Sequence, residues 1–230
     1  VSAGGFGVYL VTDPALSDRH GIGVLGVVRA AVHGGVRIVQ VRDKDASARD
    51  LLALTAAVAD AVGDRATVVV DDRLDVALAA RHAGHRVAGV HLGQSDVPVT
   101  AARALLGADA HVGLTANTPE HLAAVAALPR GTVDLLGVGV VHPTATKADH
   151  PPALGHDGFG RLARATDVPC VAIGWGDARR RPAAPGSRCR GRGGRVGHLC
   201  RSRPGVRRGG VRVRVGPWTR PRGGGAAVGW

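Results

Sequence analysis

The chain contains no methionine and, in 230 residues, only three cysteines, one tyrosine, two phenylalanines and three tryptophans. Cys170, Cys189 and Cys200 show no metal-ligand spacing and are too few for a disulfide framework. A reducing, cytoplasmic setting is therefore expected. No apolar run approaches the roughly 20 residues that a membrane span needs. The opening VSAGGFGVYLVTD lacks the basic start and long apolar stretch of a signal peptide. A chain without methionine that begins at Val1 is what a GTG start codon, or a fragment, would give.

Acidic charge is missing from the C-terminal end. Residues 177–230 hold fifteen Arg, no Lys and a single acid, Asp177. The whole chain has 30 basic and 18 acidic residues, so residues 1–176 keep 15 basic against 17 acidic. The formal +12 comes from the tail alone, over a head that is slightly acidic. An overall pI read as a nucleic-acid signature would average two unlike segments.

What is present in 1–176 is a regular alternation. Short apolar, β-branched runs predict strands over 7–12, 36–41, 66–70, 87–92, 111–115, 135–141 and 169–173. Near-continuous Val/Ile/Leu runs suit parallel strands buried on both faces. Between them, stretches such as 46–62 and 119–127 carry apolar residues at helical spacing. Seven βα units predict an α/β fold, a (β/α)8 TIM barrel, in which the Arg/Gly-rich tail replaces the eighth unit. A doubly wound sheet is the alternative, weakened because no dinucleotide-type glycine fingerprint follows the first strand. The expected organisation is a barrel domain over 1–176 and a disordered tail over 177–230.

Polar residues gather where a barrel places its active site, at the C-terminal ends of strands. They are Gln40, Val41, Arg42, Asp43 and Lys44 after the second strand, Asp71, Asp72 and Arg73 after the third, and Gln94, Ser95 and Asp96 after the fourth. Thr115, Ala116, Asn117 and Thr118 follow the fifth, and Pro143, Thr144, Ala145, Thr146 and Lys147 the sixth. Any one of these groups reads equally well as a solvated loop, a helix cap or a turn. Their recurrence at successive strand ends does not. Asp72 and Asp96 offer oxygen ligands for one hard cation, and magnesium (Mg2+) takes one or two carboxylates beside water and phosphate. Arg42, Lys44 and Lys147 offer charge for a diphosphate. Metal and cations together stabilise charge building on a departing diphosphate. The hydroxyls of Thr144 and Thr146 suit a second phosphate.

The segments VQVRDK (39–44), VVDDRLDVAL (69–78), GVHLGQSD (89–96), GVGVVHPTATK (137–147) and VPCVAIG (168–174) resemble thiamine-phosphate synthases. The resemblance covers residues 8–174 and implies a barrel that joins a hydroxymethylpyrimidine diphosphate to a thiazole phosphate. It implies that Gln40, Val41, Arg42, Asp43, Lys44, Asp71 and Thr115 contact the pyrimidine diphosphate, and that Asp72 and Asp96 hold magnesium. Thr144, Ala145, Thr146 and Gly174 are implied on the thiazole phosphate, and Lys147 on the diphosphate. Arg42 and Lys147 are the expected catalytic residues. The partners implied are these small molecules, with a possible homo-oligomer and no specific nucleic acid or membrane. A dissociative reaction explains why no nucleophile or general-base dyad is visible.

Three departures stand out. Asp71 replaces a usual Asn, Asn117 a usual His, and Val140 a usual Pro. The related thiazole tautomerases rely on a His in the strand-5 region, so Asn117 argues against that branch. After Gly174 the family continues with a second glycine, whereas this chain has Trp175. Gly- and Arg-rich, Lys-free text is what GC-rich DNA gives out of frame. With plausible codons for Ile173 to Ala178 (ATC GGG TGG GGT GAC GCC), removing one G restores Ile-Gly-Gly-Val-Thr. The same shift makes a helix-like stretch of 181–190 and Ser-Val-Ile-Cys-Ala of 196–201. A frameshifted C-terminus is therefore expected. With it comes a barrel that cannot close, strands 7 and 1 being left with unpaired edges. Two alternatives follow from the tail: an inactive barrel remnant that has lost its thiazole-phosphate site, or a basic-tailed nucleic-acid binder.

Overall fold

The structure is a computed structural model and describes residues 8–19, 21–142, 152–174 and 196–199. Its strands are β1 (Val8–Val11), β2 (Ile38–Val41), β3 (Thr67–Asp71), β4 (Gly89–Leu92), β5 (His111–Thr115), β6 (Leu135–Gly139), β7 (Cys170–Ile173) and β8 (Val196–Leu199). The helices are α1 (Pro14–Arg19), α2 (Gly23–His33), α3 (Ala48–Val62), α4 (Leu74–His82), α5 (Val99–Leu106), α6 (Pro119–Ala126) and α7 (Gly155–Arg164). β1 to β7 are parallel and neighbour one another in chain order, which makes the TIM-barrel architecture and excludes the doubly wound sheet.

Strand parity divides the buried residues into two layers. Leu10, Val39, Val41, Val68, Val70, Val90, Leu92, Val112, Leu136, Val138, Cys170 and Ala172 face outward into one large core shared with the helices. Val28, Val58, Val62 and Leu162 meet them from α2, α3 and α7. Tyr9, Val69, Leu135 and Val171 form a separate small cluster inside the barrel. Helix starts follow local chemistry. Ser47 caps α3 by accepting from Asp50 N, and Thr118 caps α6 ahead of Pro119 by accepting from His121 N.

The expectation of an open barrel is corrected. β8 closes it, pairing antiparallel with β1 (Val8 with His198, Leu10 with Val196) and with β7 (Ala172 with His198). Two exposed strand edges present rows of unpaired N–H and C=O groups, and an antiparallel segment satisfies these as a parallel one would. The closing strand thus lies inside the segment expected to be disordered. The remainder of 177–230 lies outside the described residues.

Candidate active site

The inner face of β2 runs from apolar Ile38 to polar Gln40 and Arg42, and that of β3 from Val69 to Asp71 at its C-terminal end. Parity carries Ile38, Gln40 and Arg42 inward from β2, Val69 and Asp71 from β3, His91 from β4 and Thr115 from β5. Arg42 and Asp71, together with Lys44, Asp72 and Asp96 from the loops above, form one charged cluster at the barrel mouth, with Gln40 and His91 a layer below it.

Its centre is a network of ion pairs. Arg42 Nε lies 3.2 Å from Asp71 Oδ2, and Lys44 Nζ lies 3.6 Å from the same oxygen. Lys44 also pairs with Asp72 Oδ2, and the Asp72 and Asp96 carboxyl groups are hydrogen-bonded to each other. Asp96 is held in turn by Gly93 N, which donates to its Oδ2 at 2.6 Å. Asp72 has a φ of 56°, a conformation uncommon for a residue with a side chain. It breaks the strand alternation and lets Asp72, next to inward-facing Asp71, join the same cluster.

Burial and charge set the protonation of this cluster. Desolvation and the neighbouring Asp72 charge push the Asp71 carboxyl up to about 6, against the pull of Lys44 and Arg42. Desolvation also acts to raise Asp72, but hydrogen bonds from Lys44 and Asp96 outweigh it and leave Asp72 below the usual carboxylate range. Asp96 is raised by desolvation and by its bond to Asp72. The two carboxyls therefore titrate as a pair in which Asp72 gives up its proton before Asp96. Lys44 is desolvated, yet its hydrogen bond to Asp72 and the Asp71 and Asp72 charges hold its pKa above the ordinary value.

Several expected residues take other places. The Val41 side chain points outward into the helix-facing core and is fully buried, so only its backbone faces the site's loop. Gln40 is 5 % exposed, and its Nε2 donates to the Tyr9 hydroxyl at 3.0 Å, below the mouth. Asp43 accepts from Asp45 N in its own loop. Thr115 is part-buried at the mouth, 3.2 Å from His91 Nε2. Asn117 Oδ1 accepts from Gly139 N at 2.9 Å, tying the end of β5 to β6. Gly174 closes β7 beside Val140, its carbonyl accepting from His142 N at 3.0 Å. Thr144, Ala145, Thr146 and Lys147 lie outside the described residues.

Three contributors escaped the sequence reading. Thr12 clamps the start of the β2 loop, accepting from Arg42 N at 2.8 Å and donating to Arg42 O at 3.0 Å. Its position as a polar residue at the end of the first strand was the available signal. Tyr9 sits within an apolar run and gave none, and His91 lies in the GVHLGQSD segment, where only Gln94, Ser95 and Asp96 were singled out.

Residues 8–191 match the family model described as thiamine monophosphate synthase. A thiamine-phosphate synthase of Corynebacterium efficiens is 50 % identical over 151 residues, covering 66 % of this chain and 69 % of that protein. One from Albidiferax ferrireducens is 45 % identical over 168 residues, covering 73 % and 72 %. Among solved structures, a thiamine phosphate pyrophosphorylase from Pyrococcus furiosus matches with a TM-score of 0.60 at 27 % identity. It covers 75 % of this chain and 77 % of that one.

Proposed function

Because the chain belongs to the thiamine monophosphate synthase family, we propose that it joins a hydroxymethylpyrimidine diphosphate to a thiazole phosphate and releases diphosphate. The observation that carries this reading is the cluster of Arg42, Lys44, Asp71, Asp72 and Asp96 at the C-terminal mouth of the barrel. It combines two cations suited to a diphosphate with a carboxyl pair suited to a hard metal ion.

The carboxyl pair fits magnesium by its chemistry. Asp72 and Asp96 are neighbouring hard oxygen donors, the donor type that would hold a divalent cation such as magnesium. Two carboxylates beside substrate phosphate and water are the set that magnesium commonly takes. When bound there, magnesium offsets charge developing on the diphosphate.

The chain's own residues do the rest. Arg42 and Lys44 bind the diphosphate oxygens, and Lys44, held protonated beside Asp71 and Asp72, stays cationic throughout. The carbon–oxygen bond to the pyrimidine methylene breaks, and its electron pair leaves on the diphosphate. The thiazole nitrogen then gives its lone pair to the methylene carbon, forming the carbon–nitrogen bond. No proton has to be removed from a nucleophile, so positioning and electrostatics suffice. Asp71, facing inward beside this path, adds a negative charge that favours the positive pyrimidine fragment. On resemblance, Thr144, Ala145, Thr146 and Gly174 are assigned to the thiazole phosphate, and Lys147, with Arg42, to catalysis on the diphosphate. A cytoplasmic location and a homo-oligomer belong to the same reading. Among the described residues, no helix is long and apolar enough to cross a membrane.

The test is direct. The purified chain is incubated with both substrates and magnesium, and thiamine phosphate and diphosphate are measured together by chromatography. Equimolar products that vanish with chelator and in Asp72→Asn support the reading. Diphosphate release without thiamine phosphate points instead to a barrel that retains the pyrimidine half of the site and has lost the other.

A further inference from the structure

His91 lies on the inward face of β4, one layer below the charged mouth, and is 4 % exposed. Its Nε2 is 3.2 Å from Thr115 Oγ1, and its ring meets Tyr9 edge-on with centroids 6.2 Å apart. Its Nδ1 has no hydrogen-bond partner. Two neighbouring strands leave space for this ring. A Cβ added at Gly113 on β5 would come within 2.4 Å of Nδ1, and one at Gly137 on β6 within 2.9 Å of Nε2. Neither contact is tolerable, so the imidazole is slotted across the lumen by glycines on both strands it faces.

The proposed reaction needs no acid or base at this depth. A doubly protonated ring would bury a charge and leave an Nδ1–H with no partner, so the site holds the imidazole neutral. A neutral imidazole carries one N–H. With the proton on Nδ1, a buried N–H would face Gly113 without a partner, and orphaned N–H groups are rare. With the proton on Nε2, that N–H meets the Thr115 oxygen and Nδ1 is left as a bare acceptor, the more tolerable orphan. Thr115 Oγ1, having accepted one hydrogen bond, then turns its own hydrogen away from the ring and toward the mouth.

The geometry points to His91 as a positioning residue: its Nε2–H fixes the Thr115 hydroxyl as a donor toward an anionic oxygen of the departing diphosphate. This rests on the proposed reading of Thr115 as a diphosphate contact. The division of labour is specific. His91 never touches substrate; Thr115 does, with its rotor set in advance and no reorientation needed during the reaction.

The deciding measurement is NMR on the full chain with histidine-selective 15N labelling at pH 7, His91 being identified by the signal lost in His91→Gln. The expected pattern is a neutral Nε2–H tautomer, perturbed in Thr115→Val where the acceptor is gone. An Nδ1–H pattern, or one unmoved by Thr115→Val, overturns the proposal. Kinetics give the second arm. His91→Leu lowers kcat/KM about tenfold, the scale of one misdirected hydrogen bond. In a Thr115→Val background the same change costs less than twofold, because the two residues act as one unit. His91→Gln, which keeps an N–H donor, recovers part of the loss. Losses that simply add in the double variant overturn the proposal. The tautomer pattern does not depend on turnover. A blank synthesis assay beside an Nε2–H signal refutes the proposed reaction and leaves the His91–Thr115 pairing supported.

Discussion

Arg42 Nε sits 3.2 Å from Asp71 Oδ2, inside the barrel mouth, with the two side chains only 22 % and 12 % exposed. The cation expected to bind diphosphate is therefore already satisfied by a carboxylate of its own chain. Lys44 leans on the same oxygen at 3.6 Å.

That relationship predicts a split effect for Asp71→Asn. Freeing Arg42 and Lys44 from a competing anion lowers KM for the pyrimidine diphosphate, by about threefold to tenfold for one partly screened ion pair. Removing a negative charge beside the developing pyrimidine cation lowers kcat by a similar factor. Steady-state kinetics at fixed magnesium and ionic strength read both. A kcat that rises while KM is unchanged contradicts the argument.

Acid should destabilise the fold through its buried histidines. An unfolded histidine takes up a proton near 6.5, whereas His91 in the folded barrel resists until about 4 because it is desolvated. The unfolded state then binds more protons between these values, so stability is full above about pH 6.5 and is lost as pH falls toward 4. His91 alone accounts for about 3 kcal/mol over that window. His111, depressed chiefly by burial, acts in the same direction. Asp71 opposes them, since its raised carboxyl favours the folded state at low pH and loses that contribution as pH rises through about 6. Urea titrations from pH 4 to 7 should show the midpoint falling on the acid side. The fall should be shallower in His91→Leu, which has no proton to take up at that position.

Much of this site was legible because barrel geometry ties chemistry to strand ends. Asp71, Asp72, Asp96, Arg42 and Lys44 each lie at the end of an apolar run or within four residues after it, and each lies at the mouth. What was not legible has identifiable causes. Val41 ends its strand too, but one step of alternation turns its side chain outward. Asp72 joins the cluster through a positive φ that no residue pattern announces. His91 sits inside an apolar run, and its role emerges only when Gly113 and Gly137 from two other strands are placed around it. β8 is a pairing choice made by two distant edges, invisible to any local propensity.

Arg103 holds the base of α5 to the β5 and β6 strands. Its guanidinium donates to Ala110 O at 2.7 Å, Gly107 O at 3.2 Å, Ala108 O at 3.1 Å and Thr132 O at 3.3 Å, and it pairs with Asp134 Oδ2 at 2.6 Å. Asp134 also accepts from Val112 N at 2.8 Å. Arg103→Ala should cost about 2–4 kcal/mol, because it strands several carbonyls and a half-buried carboxylate. At this chain length that lowers Tm by roughly 5–15 °C. Arg103→Lys should recover less than half, since an ammonium cannot reach in a fork. Substrate KM should not move, as the residue lies far from the mouth along the sequence of contacts. Calorimetry and a KM determination together check both statements.

The antiparallel closure makes its own prediction about the C-terminal segment. β8 gives β1 and β7 partners on the edges that a seven-stranded barrel leaves open. Ending the chain after Gly174 returns those edges to solvent, and exposed edges pair with other chains. The truncated protein should exchange the amide hydrogens of Tyr9, Leu10, Val171 and Ala172 much faster than the full chain, while those of β3 to β5 change little. It should also aggregate on heating at micromolar concentration. Ending the chain at Leu199 keeps β8 and should preserve both the slow exchange and a cooperative melt. Hydrogen exchange by mass spectrometry on the three chains separates the cases. Equal protection of β1 and β7 with and without 175–230 would mean that β8 contributes nothing to holding the barrel shut.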